Sequence, residues 1–224
     1  MKKRHALLTR LWHWLNAVCL VVMFMSGLNI FNAHPRLYWG QWGFDRHDAW
    51  LVLHRFPGWI TIPQHYSLAD GRLWHLLFAW PFALGLLVFM IGSLWNRHFV
   101  RDLVTRRSEW RWSSMRADIV KHLKLDFQHN GKFNFLQKLT YGLVIFILLP
   151  LMIFSGITMS PGMDANWPFL LDIFGGRQSA RSIHFICAWG LVVFLAVHIL
   201  LVLLSGPIGQ IRDMITGGKA ETPE

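Results

Sequence analysis

Four histidines stand where an ionisable side chain is costly. His13, His75, His184 and His198 each fall at the edge of a long apolar run or inside one. A neutral imidazole in such a place is a metal ligand or a hydrogen-bond partner. Spacing bears on the choice. His184 and His198 are fourteen residues apart, nearly four whole helical turns, so they share one helix face about 21 Å apart. Two ligands so distant cannot bind a single ion through N–metal bonds of about 2 Å. They suit two separate centres, each completed by an imidazole from another helix.

The apolar runs supply those helices. Residues 11–35, 73–96, 139–163 and 182–211 contain no Asp, Glu, Lys or Arg, in a chain of 224 residues that is 54% hydrophobic. About 20 apolar residues cross a ~30 Å hydrocarbon core. The expectation is an all-α integral membrane protein, a four-transmembrane-helix bundle forming a single membrane domain over 1–224. Its spans lie at about 11–31, 73–95, 137–160 and 181–205, with an outer loop 32–72 and a basic inner loop 97–136. The first run is too long for a signal-peptide core and no small-residue cleavage site follows it, so it reads as a retained span. Pro81 and Pro150 fall inside spans, where a kink is tolerable. The outer loop, rich in Trp, Gly and Pro, reads as an ordered segment at the membrane interface. The inner loop mixes apolar residues among its charges and is expected to include an amphipathic helix. No internal sequence repeat is evident.

Charge sets the orientation. The net charge is +10, with four Lys and Arg in residues 1–10, ten in 97–138 and two beyond 205, against four in 36–72 and two in 177–181. With four spans, sixteen basic residues fall on one side and six on the other. That is the positive-inside pattern, and it places both termini in the cytoplasm. The basic runs therefore read as orientation signals in contact with anionic lipid headgroups, and not as a nucleic-acid site.

Depth then selects partners. The first span runs outward, so His13 lies near the inner side; the second runs inward, so His75 lies near the outer side. The fourth begins outside with His184 and carries His198 inward. The depth-matched pairs are His13 with His198 (inner) and His75 with His184 (outer). Two neutral imidazoles on opposite faces of a planar macrocycle in a bundle interior are what a six-coordinate haem b needs. The third span supplies no histidine. His54 and His65 in the outer loop are rivals to His75, but only His75 opens a charge-free span; His34 is a weaker candidate. Arg10, with Arg4, at the inner site and Arg177 and Arg181 at the outer are candidate partners for haem propionates. Gly27, Gly85, Gly92 and Gly156 suit either a macrocycle edge or ordinary small-residue packing. Cys19 and Cys187 read as packing residues, and no Cys-x-x-Cys-His is present for covalent haem.

The stretches "TRLWHWLNAVCLVVMFMSG" and "ARSIHFICAWGLVVFLAVH" resemble the four-helix dihaem cytochrome b family. That family includes bacterial cytochrome b561, the gamma subunit of formate dehydrogenase and the b-type cytochrome subunit of nickel-iron hydrogenase. The resemblance covers all four spans. It implies that His13, His75, His184 and His198 are axial ligands of two haem b groups. It also implies electron transfer between the quinone pool and a partner oxidoreductase subunit or small donor, in the bacterial cytoplasmic (inner) membrane. The long outer and inner loops depart from the smallest members. For a quinone, Asn16, His122, Asn134, Gln137 and Lys138 are candidate polar contacts on the inner side; no catalytic residue is assigned. The outer loop, with Trp39, Trp42, Trp50 and Trp59, is a candidate docking face for a periplasmic partner. Competing readings are a transporter whose histidines relay protons or bind metal, a non-redox membrane anchor, and a free-standing quinone-linked b561.

Overall fold

The computed structural model describes residues 6–96, 99, 104–105, 107–123 and 135–218. In chain order its helices are α1 (Leu7–Asn32), α2 (Leu68–Trp95), α3 (Trp112–Leu123), α4 (Phe135–Leu143), α5 (Leu149–Met159), α6 (Pro161–Asn166), α7 (Phe169–Phe174), α8 (Arg177–Leu204) and α9 (Pro207–Thr216). A short antiparallel ribbon pairs β1 (Arg36–Leu37) with β2 (Leu51–Val52) in the register Arg36↔Val52 and Leu37↔Leu51. Four helical stretches are long and apolar enough to span a membrane: α1, α2, the continuous run Phe135–Met159 and α8. The chain is a multi-pass membrane protein of mainly helical structure.

The helices begin earlier than the charge-free windows. α1 starts at Leu7, α2 at Leu68 and α8 at Arg177. Backbone hydrogen bonding continues through a polar first turn, whereas a window without charges stops at the apolar edge. Ser67 illustrates the point: its Oγ accepts the Asp70 N–H at 3.2 Å and caps α2 one turn before the apolar run. The third span is helical throughout but changes pitch, with a π turn at Val144–Leu148 between α4 and α5. Pro150 follows directly. Its ring lacks an N–H and crowds the carbonyl four residues back, and a π turn is one way a helix absorbs that mismatch.

The chain divides into two compact units, one of Met1–Trp12, Leu87–Leu149 and Leu191–Glu224, the other of His13–Leu86 and Pro150–Gly190. In the first, Phe89, Phe99 and Ile145 form a buried cluster with Trp12, Met90 and Tyr141 packed against it. Trp12 stacks on Phe89 at 3.9 Å between ring centroids. The expected amphipathic helix of the inner loop corresponds to α3; residues 124–134 and parts of 97–106 lie outside the described residues. Asp118 on α3 accepts the Phe135 N–H at 3.1 Å and so caps α4, and Lys138 pairs with Glu109 at 2.7 Å.

In the second unit the outer segment is ordered by specific bonds. The Gly40 carbonyl accepts from the N–H groups of Gln178 and Ser179 at 3.0 and 3.1 Å, satisfying donors that the first turn of α8 leaves over. This approach needs glycine at 176. Its φ is +106°, and a Cβ there would lie 2.6 Å from the carbonyl carbon of Gly40. Trp50 Nε1 donates to Ser182 Oγ (2.9 Å), which in turn donates to the Tyr38 carbonyl (2.6 Å).

Candidate functional site

The second unit brings His75 of α2 and His184 of α8 together. Their ring centroids are 6.2 Å apart with planes inclined at 58°. That separation is near what two imidazoles need to ligate one ion from opposite sides, with about 2 Å for each N–metal bond and ~1 Å from nitrogen to ring centre.

Each ring is held from behind through Nδ1. His75 Nδ1 lies 3.0 Å from the Met23 carbonyl and 3.2 Å from Ser26 Oγ. A carbonyl only accepts, so Nδ1 carries the proton and Nε2 keeps its lone pair. His184 Nδ1 lies 2.9 Å from Ser155 Oγ, and the Met152 carbonyl is a second acceptor for the ring. Ser155 Oγ itself donates to the Leu151 carbonyl at 2.5 Å, which leaves an oxygen lone pair for the imidazole N–H. Both histidines are thereby set in the tautomer that presents Nε2 to a metal.

Two glycines open the space beside the rings. A Cβ at Gly27 would lie 3.5 Å from Cε1 of His75, and one at Gly156 would lie 3.4 Å from Cε1 of His184. The imidazoles alone would nearly tolerate a methyl. A flat macrocycle held by them would gain from the bare helix surface. Donor type, spacing, tautomer and cleared backbone all fit haem.

The other sequence candidates take varied positions. His13 belongs to the second unit and meets Trp14 edge-on at 5.1 Å; His198 belongs to the first and stacks on Phe194 at 5.9 Å. Arg181 gives its two Nη groups to the carbonyls of Arg36 (2.9 Å) and His34, tying the outer segment to α8. Arg177 Nη2 donates to the Met159 carbonyl at 2.5 Å, and Arg10 Nη1 to that of Ile215 on α9. Asn16 is buried and Lys138 is occupied with Glu109. Arg4, Asn134 and the side chain of His122 lie outside the described residues. His65 bonds Asp70 at the surface (3.4 Å), and Cys19 and Cys187 are free and buried.

Sequence reasoning missed Ser26 and Ser155. A signal was present: Met-x-x-Ser-Gly occurs at 23–27 and again at 152–156. The chain therefore does contain a short internal repeat, and each copy backs one histidine.

Comparison with known proteins identifies a family for the chain. The family model for prokaryotic cytochrome b561 matches residues 4–217. The chain belongs to the prokaryotic cytochrome b561 family. Among curated relatives of this cytochrome, a putative protein-methionine-sulfoxide reductase subunit YedZ1 of Azospira oryzae is 28% identical, with 87% of each chain covered. Probable Ni/Fe-hydrogenase B-type cytochrome subunits are 24% identical in Azotobacter vinelandii (86% of this chain, 76% of the relative) and 21% in Cupriavidus necator (93% and 82%). No solved structure matches it significantly. Membership makes this cytochrome a membrane electron-transfer protein of a family that binds haem b.

Proposed function

We propose that this b561-family chain is a dihaem electron carrier of a bacterial cytoplasmic membrane, working as one membrane domain. His75 and His184 hold the outer haem, His13 and His198 the inner one. Electrons pass between the quinone pool and a partner oxidoreductase subunit. The observation that carries the reading is the His75–His184 pair, two imidazoles on different helices with ring centroids 6.2 Å apart and both Nδ1 groups tied back. The inner pair rests on the depth-matched sequence positions of His13 and His198. In its support, α8 runs unbroken from Arg177 to Leu204 and keeps His184 and His198 fourteen residues apart on one face.

Haem held by these histidines would supply a one-electron Fe(III)/Fe(II) couple suited to outer-sphere electron transfer. The chain's residues do the rest: imidazoles hold and orient, apolar helix faces exclude water, and the basic inner side favours the cytoplasmic orientation. A redox partner is supported by the relatives' names, since each is called a subunit of a reductase or a hydrogenase.

Pyridine haemochrome assay of the purified chain should give two haem b per polypeptide. His75→Ala and His184→Ala should each remove the same single haem, and His13→Ala and His198→Ala the other. A colourless protein from haem-replete cells would overturn the reading; loss of both haems from all four variants would overturn the pairing.

A further inference from the structure

The third span carries no histidine, yet it is bonded to one that the reading above makes an axial ligand. α5 presents Met152-x-x-Ser155-Gly156 to His184 as α1 presents Met23-x-x-Ser26-Gly27 to His75. The correspondence extends to each hydroxyl. Ser26 Oγ donates to the Val22 carbonyl at 2.7 Å with the Met23 carbonyl at 3.2 Å; Ser155 Oγ donates to Leu151 at 2.5 Å with Met152 at 3.2 Å. Both serines are fully buried, at 0% exposure. A buried hydroxyl whose only proton is committed to its own helix has lone pairs to offer, and in both copies the acceptance falls on an imidazole Nδ1.

We propose that Ser26 and Ser155 are paired positioning residues which fix the ring orientation and tautomer of His75 and His184 and so set the potential of the outer haem. The proposal rests on those two histidines being its ligands. An N–H that donates to a fixed oxygen makes the opposite nitrogen a stronger donor, and a stronger axial donor stabilises Fe(III). Two such bonds, one behind each ligand, act on the same iron and lower its potential together. Each serine also defines the imidazole plane, because the acceptor sits on a rigid helix one turn from its own carbonyl anchor. The first and third spans thus play one role twice, holding a ligand that the next span supplies.

The test is redox titration and low-temperature EPR of the full purified chain carrying Ser26→Ala, Ser155→Ala or both. Alanine is nearly isosteric, so packing is kept while the acceptor is lost. Haem content should stay at two per chain, and one of the two potentials should rise. The Met23 and Met152 carbonyls remain, so each single change should move the equilibrium about three- to tenfold toward Fe(II), roughly 30–60 mV at ~59 mV per tenfold for one electron. The double variant should shift further, and one low-spin ferric signal should move or broaden. Ser155→Thr, which keeps the hydroxyl, should restore the native potential. Thr158→Val is the control: Thr158 is equally buried, but its hydroxyl bonds the Phe154 carbonyl (2.8 Å). Loss of one haem in an alanine variant, restored by threonine, also supports the role. Unchanged potentials and signals overturn the serine proposal alone when His75→Ala still removes one haem. A His75→Ala protein that keeps both haems overturns the ligand assignment, and the serine role falls with it.

Discussion

At Gly27 and Gly156 the residue scale yields a graded prediction. An added methyl would meet Cε1 of His75 or His184 at 3.5 or 3.4 Å, close to ordinary contact, whereas a branched side chain must displace the ring or fill the space beside it. Gly27→Ala and Gly156→Ala should retain both haems. Gly27→Leu and Gly156→Leu should each leave one haem per chain by haemochrome assay, while Gly142→Leu, where nothing lies within 4 Å of the added Cβ, should keep two. Equal haem content in all three leucine variants would show that the glycines serve helix packing instead. The histidines behind this prediction were legible in the sequence because an ionisable group inside a span is rare and expensive. The serines were not. Serine within an apolar helix reads as a small packing residue or one that bonds its own helix, and the repeat containing it has three fixed residues in five.

At the scale of elements, the outer segment depends on bonds that no periodicity announces. Its order followed from its Trp, Gly and Pro content, but its anchors are a glycine carbonyl at the start of α8, the indole of Trp50 and the guanidinium of Arg181. Such contacts join residues more than a hundred positions apart, so local sequence holds no trace of them. α6 and α7, between the third span and α8, were not legible for another reason: at six residues each they are too short to show a helical periodicity. One consequence is a pH dependence. His34 stacks against Tyr38, and its pKa is lowered first by burial and then by the charges of Arg181 and Arg36. A histidine with a lowered folded pKa takes up its proton less readily than the unfolded chain does. Its contribution to stability is therefore full above about pH 6.5 and is lost as pH falls through the depressed folded value. Thermal melting in detergent should show a larger drop between pH 7 and pH 5 for the native chain than for His34→Gln. The difference should shrink at high salt, where both arginine charges are screened. Equal drops at low salt would remove His34 as the cause.

For the whole molecule, the number of spans was the most readable feature, because four charge-free runs leave little choice about where lipid can lie. The helix ends were less readable, since polar first turns extend each helix past its apolar core. Orientation is a separate question, set by where basic residues accumulate. Sixteen Lys and Arg lie in residues 1–10, 97–138 and beyond 205, and six lie in 36–72 and 177–181. With four spans both termini share a side, and the proposed cytoplasmic placement of that side rests on this excess. Green fluorescent protein fused after residue 218 should fluoresce, and alkaline phosphatase inserted after Asp48 should be active. The reverse pattern would invert the molecule and exchange the inner and outer assignments of the two histidine pairs. The pairs themselves would survive, since they depend on relative depth and not on which face is the cytoplasm. The bias is also large enough to resist small edits. Replacing Lys2, Lys3 and Arg4 with glutamine lowers the inner count from sixteen to thirteen, still about twice the outer six, so both reporters should keep their signals. Reversal in that variant would mean that the first span alone sets the topology.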